Sequence, residues 1–199
     1  MRFLTALLLA AVALPGALTA QSPSAFEPEL TGRRIPSFTL PDSRRVYHDI
    51  LDYRGQVVLV EVMQTHCPHC QSLAERLEAV QTRFAGKLRM LAIVLPPDTA
   101  DTVRTFVERY HVRYPVLFDC GQATAALLMA GPENPRITFP HVFLVDRQGM
   151  ITDHFDGVKE QAVLDGPEFI DRIEKALNAP STAKAPAKAA PKLPAKKAN

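Results

Sequence analysis

One segment constrains the fold of this chain more than any other: Val57–Met63, an apolar and β-branched run interrupted by a single carboxylate. Such a run, preceded by Gly55, is typical of a central strand that is buried on both faces of a sheet. Apolar residues then recur every three or four positions between 73 and 84, until Gly86 ends the pattern. The sequence therefore predicts a buried strand that leads, through a short turn, into a helix beginning at Cys67.

The rest of the chain alternates between the same two patterns. Short runs rich in β-branched residues predict strands at 87–95, 114–119 and 142–145, with a turn at 146–149 and a further strand from 150. Apolar residues at helical spacing predict helices at 99–111, 121–131 and 167–177. A short strand and a single helical turn are predicted within 44–56. This alternation of strands and helices predicts an α/β layered domain.

The two ends of the chain differ from its middle. Residues 1–20 combine a basic start, a short apolar run and a small-residue end, as a secretory signal peptide does. Residues 179–199 are rich in Pro, Ala and Lys and have too few large apolar residues to order themselves. Between them we expect an extended segment at 21–34 and one domain at 35–178. Cleavage of the signal would leave the protein in an oxidising compartment, where disulfides persist. The alternative is that residues 1–20 remain as a membrane anchor.

The charge of the predicted domain argues against nucleic-acid binding. The chain has 199 residues, 47% of them hydrophobic, which suffices for one domain with a core. All 21 acidic residues lie between 21 and 178, whereas six of the 23 basic residues lie outside that stretch, so its net charge is −4. A nucleic-acid-binding domain needs a basic face.

The motif Cys67-Pro68-His69-Cys70 lies where the predicted strand passes into the predicted helix. The free N–H groups and the dipole of a helix N-terminus favour a thiolate, and the thiolate is the nucleophile of disulfide exchange. Cys70, one turn later, can attack the resulting mixed disulfide. Pro68 is tolerated because the first N–H groups of a helix have no partner within it. We interpret the pair as a redox couple rather than as a structural disulfide.

From Ile35 to Leu177 the chain resembles the secreted thiol–disulfide oxidoreductases of the TlpA/ResA-like group. The segment GQVVLVEVMQTHCPHCQ resembles their strand and active-site helix, and TFPHVFLVDRQGMI resembles their cis-proline strand. The resemblance implies a thioredoxin-like fold, with a central mixed β-sheet flanked by helices and a family-type insertion between the active-site helix and the cis-proline strand. It also implies that Pro140 is cis and faces the cysteines, and that Phe139 and Pro140 shape the substrate groove.

Two departures from the family pattern lie at the motif itself. His66 stands where the family usually has Trp, and Pro-His is the dipeptide of the DsbA-like oxidases. A charged His69 beside the thiolate would stabilise it and make the disulfide a stronger oxidant. We therefore expect Pro68, His69 and His66 to tune the redox properties of the pair. The resemblance of the whole domain to the TlpA/ResA-like group indicates a reductase, whereas the Pro-His dipeptide indicates an oxidase. The direction of electron flow therefore stays open.

Glu61 is the carboxylate within the predicted buried strand, six residues before Cys67. Burying a carboxylate is costly, which favours a functional reason for its position. Thioredoxins carry an Asp at this spacing, behind the resolving cysteine. The resemblance thus implies that Glu61 relays the proton of Cys70 by general base catalysis.

The remaining histidines and the third cysteine show no comparable pattern. His141 is expected near the cysteines, as a neutral bystander, because it follows Pro140. His48, His111 and His154 are expected at the surface. Cys120 ends a predicted strand and is expected to be a small buried hydrophobe.

Two other classes of function use the same residues. Cys67, Cys70 and a histidine (His66, His69 or His141) offer soft and imidazole ligands that suit copper or zinc, so a metal-delivery protein of thioredoxin fold is the main alternative. A thiol peroxidase is less well supported, because Gln64 stands where that family expects Thr, and Val60 and Glu61 stand where it expects Pro.

The sequence thus predicts a secreted or periplasmic protein-disulfide oxidoreductase that exchanges a Cys67–Cys70 disulfide with protein thiols. It needs no cofactor beyond this redox-active disulfide and no metal. The expected partners are client proteins and a membrane thiol–disulfide redox partner, and we expect a monomer.

Overall fold

The computed structural model describes residues 29–132 and 136–180. Its strands are β1 (Thr39–Pro41), β2 (Tyr47–Asp49), β3 (Val57–Met63), β4 (Leu88–Val94), β5 (Val116–Phe118), β6 (His141–Val145) and β7 (Ile151–Asp156). Its helices are α1 (Pro68–Arg83), α2 (Ala100–Tyr110), α3 (Gln122–Leu128), α4 (Gln161–Asp165) and α5 (Pro167–Asn178), and a 3-10 helix spans Ile50–Tyr53. The predicted signal peptide, most of the predicted extended segment and nearly all of the predicted tail lie outside the described residues.

The central sheet is mixed and has five strands in the order β5-β4-β3-β6-β7. β3 pairs in parallel with β4, and β4 pairs in parallel with β5, through crossovers that contain α1 and α2. β6 is antiparallel to both β3 and β7. This is the predicted thioredoxin-like arrangement, and β4, α2, β5 and α3 lie between the active-site helix and the strand that follows Pro140.

The centre of this sheet is β3, as its composition predicts. All seven of its residues are buried, and it lies between β4 and β6. Val57, Leu59 and Met63 face one hydrophobic cluster, together with α1, α2 and α5. The alternate residues Val58 and Val60 face a second cluster, which contains α3 and the segment before β1. Since side chains alternate along a strand, Glu61 points into the first cluster, beneath α1.

The sequence did not predict β1 or the helix α4. β1 and β2 form a separate two-stranded antiparallel sheet that meets β5 through a bridge between Asp42 and Leu117. β1 has three residues and α4 has five, which is too short for the periodicity of a strand or a helix to be recognised. Leu30, within the predicted extended segment, is buried in the second cluster.

Candidate active site

Cys67 is the N-cap residue of α1, at the end of the turn that follows β3. Its sulfur is partly exposed and accepts a hydrogen bond from the backbone N–H of Cys70, at 3.4 Å. Pro68 occupies the first turn of the helix, as predicted. This 16-residue helix therefore presents its N-terminal N–H groups to a thiol that is partly exposed.

Cys70 lies one turn further along α1 and is completely buried. Both cysteines are free thiols. Burial raises the pKa of the Cys70 thiol, and the nearby Glu61 carboxyl and the Cys67 sulfur raise it further. The pair is therefore asymmetric: the outer sulfur can meet a client, whereas the inner one needs a base before it can act as a nucleophile.

Glu61 lies in the apolar cluster that also contains Cys70, and no part of it is exposed. Neither carboxyl oxygen has a hydrogen-bond partner of ordinary geometry among the described residues. Burial raises the pKa of Glu61 to about 8, and the hydroxyl of Tyr114 acts in the opposite direction. A carboxyl with a pKa in this range can both accept and return a proton near neutral pH.

Phe139 and Pro140 form the other side of the site. The Phe139–Pro140 peptide bond is cis, as the family resemblance implied. The Cys67 thiol donates to the carbonyl oxygen of Phe139, at 3.5 Å. Pro140 is held from behind by Gly157, whose N–H donates to the Pro140 carbonyl at 2.8 Å. A Cβ at position 157 would lie only 2.6 Å from the proline ring, so this close approach requires glycine.

The turn before Cys67 is held by residues that the sequence did not single out. The Thr65 hydroxyl and backbone N–H both donate to the carboxylate of Asp98, the latter at 3.0 Å. The side-chain amide of Gln71 donates to the Thr65 carbonyl at 2.9 Å. Asp98 is 33 residues away and follows β4, so only the parallel pairing of β3 and β4 brings it to the site.

The two histidines at the motif are both exposed. His69 donates from Nδ1 to the side-chain oxygen of Gln161, at 3.2 Å, which links the first turn of α1 to α4. His66 lines a cavity of about 380 Å³ between the start of α1 and α2. Their roles in tuning the cysteine pair stay predictions.

The other histidines differ from expectation. His141 is buried, and it shares the face of the sheet occupied by Phe143 and the second cluster, opposite to Cys70. Its Nδ1 lies 3.0 Å from Nε2 of His154. Burial lowers the pKa of both rings, that of His154 to about 4. The prediction of a surface position is wrong for His154, and also for His48, which is half-buried and contacts Asp42; His111 is exposed as predicted.

Cys120 is exposed, so the prediction of a buried hydrophobe is wrong. It lies between β5 and α3, next to Gly121, which adopts a left-handed conformation as the N-cap of that helix. The residue before it, Asp119, is buried instead. The Asp119 carboxylate accepts hydrogen bonds from the backbone N–H groups of Ala123 and Thr124.

Two further properties bear on the expected ligands and location. Within 29–132 and 136–180, no three His, Cys, Asp or Glu side chains are grouped so that they could hold a metal ion. In the same part of the chain, no helix has the length and apolarity needed to cross a membrane.

Comparisons with known proteins agree with this geometry. The family model described as the AhpC/TSA family matches residues 31–154. The thiol-disulfide oxidoreductase ResA of Bacillus thuringiensis is 25% identical over 136 residues, which are 68% of this chain and 75% of ResA.

Two solved structures share the fold. A thiol:disulfide interchange protein of the thioredoxin family from Chlorobium tepidum superimposes with a TM-score of 0.61 and 19% identity, covering 72% of this chain and 95% of that one. The thioredoxin domain of a thiol-disulfide oxidoreductase from Bacteroides vulgatus gives a TM-score of 0.60 and 19% identity, covering 74% and 98%. The chain therefore belongs to the AhpC/TSA family, and it resembles the ResA/TlpA-like thiol–disulfide oxidoreductases, whose thioredoxin fold it shares.

Proposed function

We propose that this chain exchanges disulfides with client proteins, using Cys67 as the outer nucleophile and Cys70 as the resolving thiol. The observation that carries this proposal is the asymmetry of the pair: Cys67 is partly exposed at the N-terminus of α1, and Cys70 is buried one turn behind it. The relative ResA is named a thiol-disulfide oxidoreductase. The activity needs only the two sulfurs and a base.

The reductive direction proceeds in two steps. The Cys67 thiolate attacks a client disulfide, so that a Cys67–client disulfide forms and one client thiolate leaves. Cys70 then gives its proton to Glu61 and attacks the Cys67 sulfur, which releases the second client thiolate and leaves the Cys67–Cys70 disulfide. Two electrons pass from the protein to the client. The oxidative direction is the reverse sequence, with Glu61 returning the proton to Cys70.

Glu61 is the base in this scheme because it is the carboxyl group buried beneath the active-site helix. Its pKa of about 8 leaves a usable fraction ionised at neutral pH and makes the carboxylate a stronger base than an exposed Glu. A glutamine at position 61 should slow the resolving step and leave the attack of Cys67 largely intact.

Phe139 and Pro140 form the groove that receives the client. The Phe139 carbonyl already lies against the Cys67 sulfur, at 3.5 Å. A client segment that pairs with the backbone of Phe139 in an extended conformation would bring its own sulfur to Cys67.

The first test of this function is single-turnover exchange with a fluorescent peptide disulfide. Wild type should reduce the peptide fully, Cys67→Ser should not react, and Cys70→Ser should stop at the mixed disulfide. Activity retained by Cys67→Ser would overturn the proposal. Replacing the peptide by hydrogen peroxide tests the peroxidase alternative, and titrating the metal-free dithiol protein with Cu(I) tests the metal-delivery alternative.

The direction of electron flow follows from the reduction potential of the pair, measured by equilibration with glutathione. A value near −120 mV would make the protein a disulfide donor, as the Pro-His dipeptide indicates, and a value near −270 mV or below would make it a reductant of its clients. The reduction potentials of His69→Ala and His66→Ala, compared with that of wild type, give the contribution of each histidine to the potential of the cysteine pair. A potential that neither variant moves would remove both from the tuning role.

The proposed location is outside the cytoplasm, with a membrane thiol–disulfide protein as the redox partner. The support is the signal-like sequence of residues 1–20. Sequencing the N-terminus of the protein recovered from an expressing bacterium tests this: a start near residue 21 in a periplasmic or secreted fraction is expected, and an intact start in the cytoplasm would contradict it. Light scattering should give the mass of a monomer.

A further inference from the structure

Three buried titratable groups from three different elements lie in or against one apolar cluster. They are Glu61 of β3, Cys70 of α1 and Tyr114, which lies in the loop before β5. The proposed reaction uses the first two. Tyr114 is only 5% exposed and is not needed for the sheet pairing of β5, which begins at Val116.

Tyr114 and Glu61 share an unusual lack of partners. The Tyr114 hydroxyl and both Glu61 carboxyl oxygens are buried, and none has a hydrogen-bond partner of ordinary geometry among the described residues. Buried polar groups in folded proteins are nearly always hydrogen-bonded. The two groups act on each other electrostatically, since the Glu61 charge is the largest cause after burial that raises the pKa of Tyr114. Tyr114 therefore stays a neutral hydroxyl, which can donate a hydrogen bond.

The backbone around Tyr114 is fixed against the active-site helix. The preceding residue, Arg113, donates from its backbone N–H and from Nε to the carboxylate of Glu78 on α1, at 2.9 and 2.6 Å. The Arg113 guanidinium also donates to Thr82 at 2.6 Å. Glu78 is the other carboxylate that acts on Tyr114, and it is already paired. Among these two carboxylates, Glu61 is the one that has an open acceptor.

We propose that Tyr114 is a positioning residue for this reaction: its hydroxyl donates a hydrogen bond to the ionised Glu61 carboxylate and so sets the pH at which Glu61 takes the proton of Cys70. The inference rests on the proposed function, because it assigns Tyr114 a role through Glu61. When Cys70 resolves a mixed disulfide, its proton passes to Glu61. The hydroxyl of Tyr114 keeps its own proton and stabilises the charged form of the base before that transfer.

The test measures the resolving step as a function of pH in the purified protein. A fluorescent peptide is first joined to Cys67, and its release by Cys70 is followed from pH 5 to pH 10. In Tyr114→Phe the midpoint of the rate profile should move up by about one pH unit, a roughly tenfold change in the proton affinity of Glu61. The control is Tyr110→Phe, since Tyr110 packs against the same cluster from α2, and it should leave the midpoint unchanged.

Glu61→Gln separates this inference from the function on which it rests. If Glu61→Gln removes the pH-dependent limb and Tyr114→Phe does not move it, Glu61 is the base and the role of Tyr114 is refuted. If Glu61→Gln leaves the profile unchanged while exchange persists, the assignment of the base fails, and the inference fails with it. A reduced plateau in Tyr114→Phe with an unmoved midpoint would mean a packing role only, and would also refute the inference.

A second measurement tests the proposal in case the Tyr114→Phe variant does not fold. Difluorotyrosine at position 114 keeps the shape of the ring and makes the hydroxyl a stronger donor. The midpoint should then move down, opposite to the expected effect of Phe, and carbon NMR of the labelled Glu61 carboxyl should report a lowered pKa. A midpoint and a carboxyl titration that both match wild type would overturn the proposal.

Discussion

The sulfur of Cys67 lies 3.5 Å from the carbonyl oxygen of Phe139, although 72 residues separate them along the chain. This contact joins the N-terminus of α1 to the loop before β6, so the nucleophile and the surface expected to bind the client form one unit. β3 leads into the turn before Cys67, and β6 pairs with β3 directly. The central strand pairing thus sets the distance between the two halves of the site.

The first prediction concerns the different accessibility of the two active-site thiols. In reduced protein carrying Cys120→Ser, iodoacetamide should modify Cys67 and leave Cys70 unmodified until the protein unfolds. Cys67 is partly exposed, whereas Cys70 is fully buried and burial raises the pKa of its thiol. Mass spectrometry of timed samples checks this. Cys120 is replaced because it is exposed and would react as well. Equal rates for the two thiols would contradict the assignment of outer and inner cysteine.

The second prediction tests the support behind Pro140. Gly157→Ala places a methyl group 2.6 Å from the proline ring and should displace Phe139 and Pro140 from Cys67. We expect a loss of about 1–3 kcal/mol in the free energy of unfolding, as for other overpacked sites, and a roughly tenfold or greater loss of exchange rate. Denaturant titration and single-turnover exchange measure the two effects.

The matched control for this substitution is Gly131→Ala. A Cβ at position 131 would have no neighbour within 4 Å, and the backbone there is not left-handed. This variant should keep both the stability and the exchange rate of wild type. If the two alanine variants behave alike, the close approach of Gly157 to Pro140 does not position the groove.

The parts of the site that the sequence could predict are those encoded by local pattern. An apolar run predicts β3, and a Cys-x-x-Cys motif at its end predicts the start of α1; a carboxylate within the run predicts a buried base. Tyr114 and Asp98 could not be found in this way, because they reach the site through the pairing of β3, β4 and β5. The residues next to Tyr114 and Asp98 in the sequence do not indicate that either side chain lies near the cysteines.

The wrong predictions for His154 and Cys120 have a related physical cause. The residues around His154 show no partner pattern for its ring, which predicts a surface position. Its face of the sheet is instead covered by residues remote in sequence, since Leu30 and Leu128 line the same cavity as His154 and His141. The prediction for Cys120 is wrong in the opposite sense, because Cys120 lies one residue after the buried Asp119, in the exposed turn before α3.

The third prediction follows from the paired histidines. Burial lowers the pKa of His154 to about 4, against about 6.5 in an unfolded chain. Between these values the unfolded state binds the additional proton, so the contribution of His154 to the free energy of unfolding should fall as the pH falls from 6.5 to 4, by up to about 3 kcal/mol. His154→Gln should reduce this acid loss, as measured by urea titration at several pH values. His111→Asn, at an exposed site, should retain it; equal acid losses in both variants would refute the assignment.

The fourth prediction concerns Glu61, whose shift has the opposite sign. Its pKa is about 8 in the folded protein and about 4.3 in an unfolded chain, so between these values the folded state holds a proton that the unfolded state has released. The free energy of unfolding should therefore fall as the pH rises through this window, by up to about 1.4 kcal/mol per pH unit. Below pH 6.5 the histidines oppose this slope.

The window from pH 6.5 to 8 is therefore the one in which Glu61 can be observed separately from the histidines. Reduced wild type should lose about 2 kcal/mol of unfolding free energy across it, and Glu61→Gln should lose almost none. Urea titration in the presence of a thiol reductant gives both slopes. The glutamine variant should also exceed wild type in stability at pH 8, because it carries no charge in the apolar cluster beneath Cys70. Parallel slopes for the two proteins would mean that Glu61 is already ionised below pH 6.5, and it would then lack the proton affinity that its role as the base for Cys70 requires.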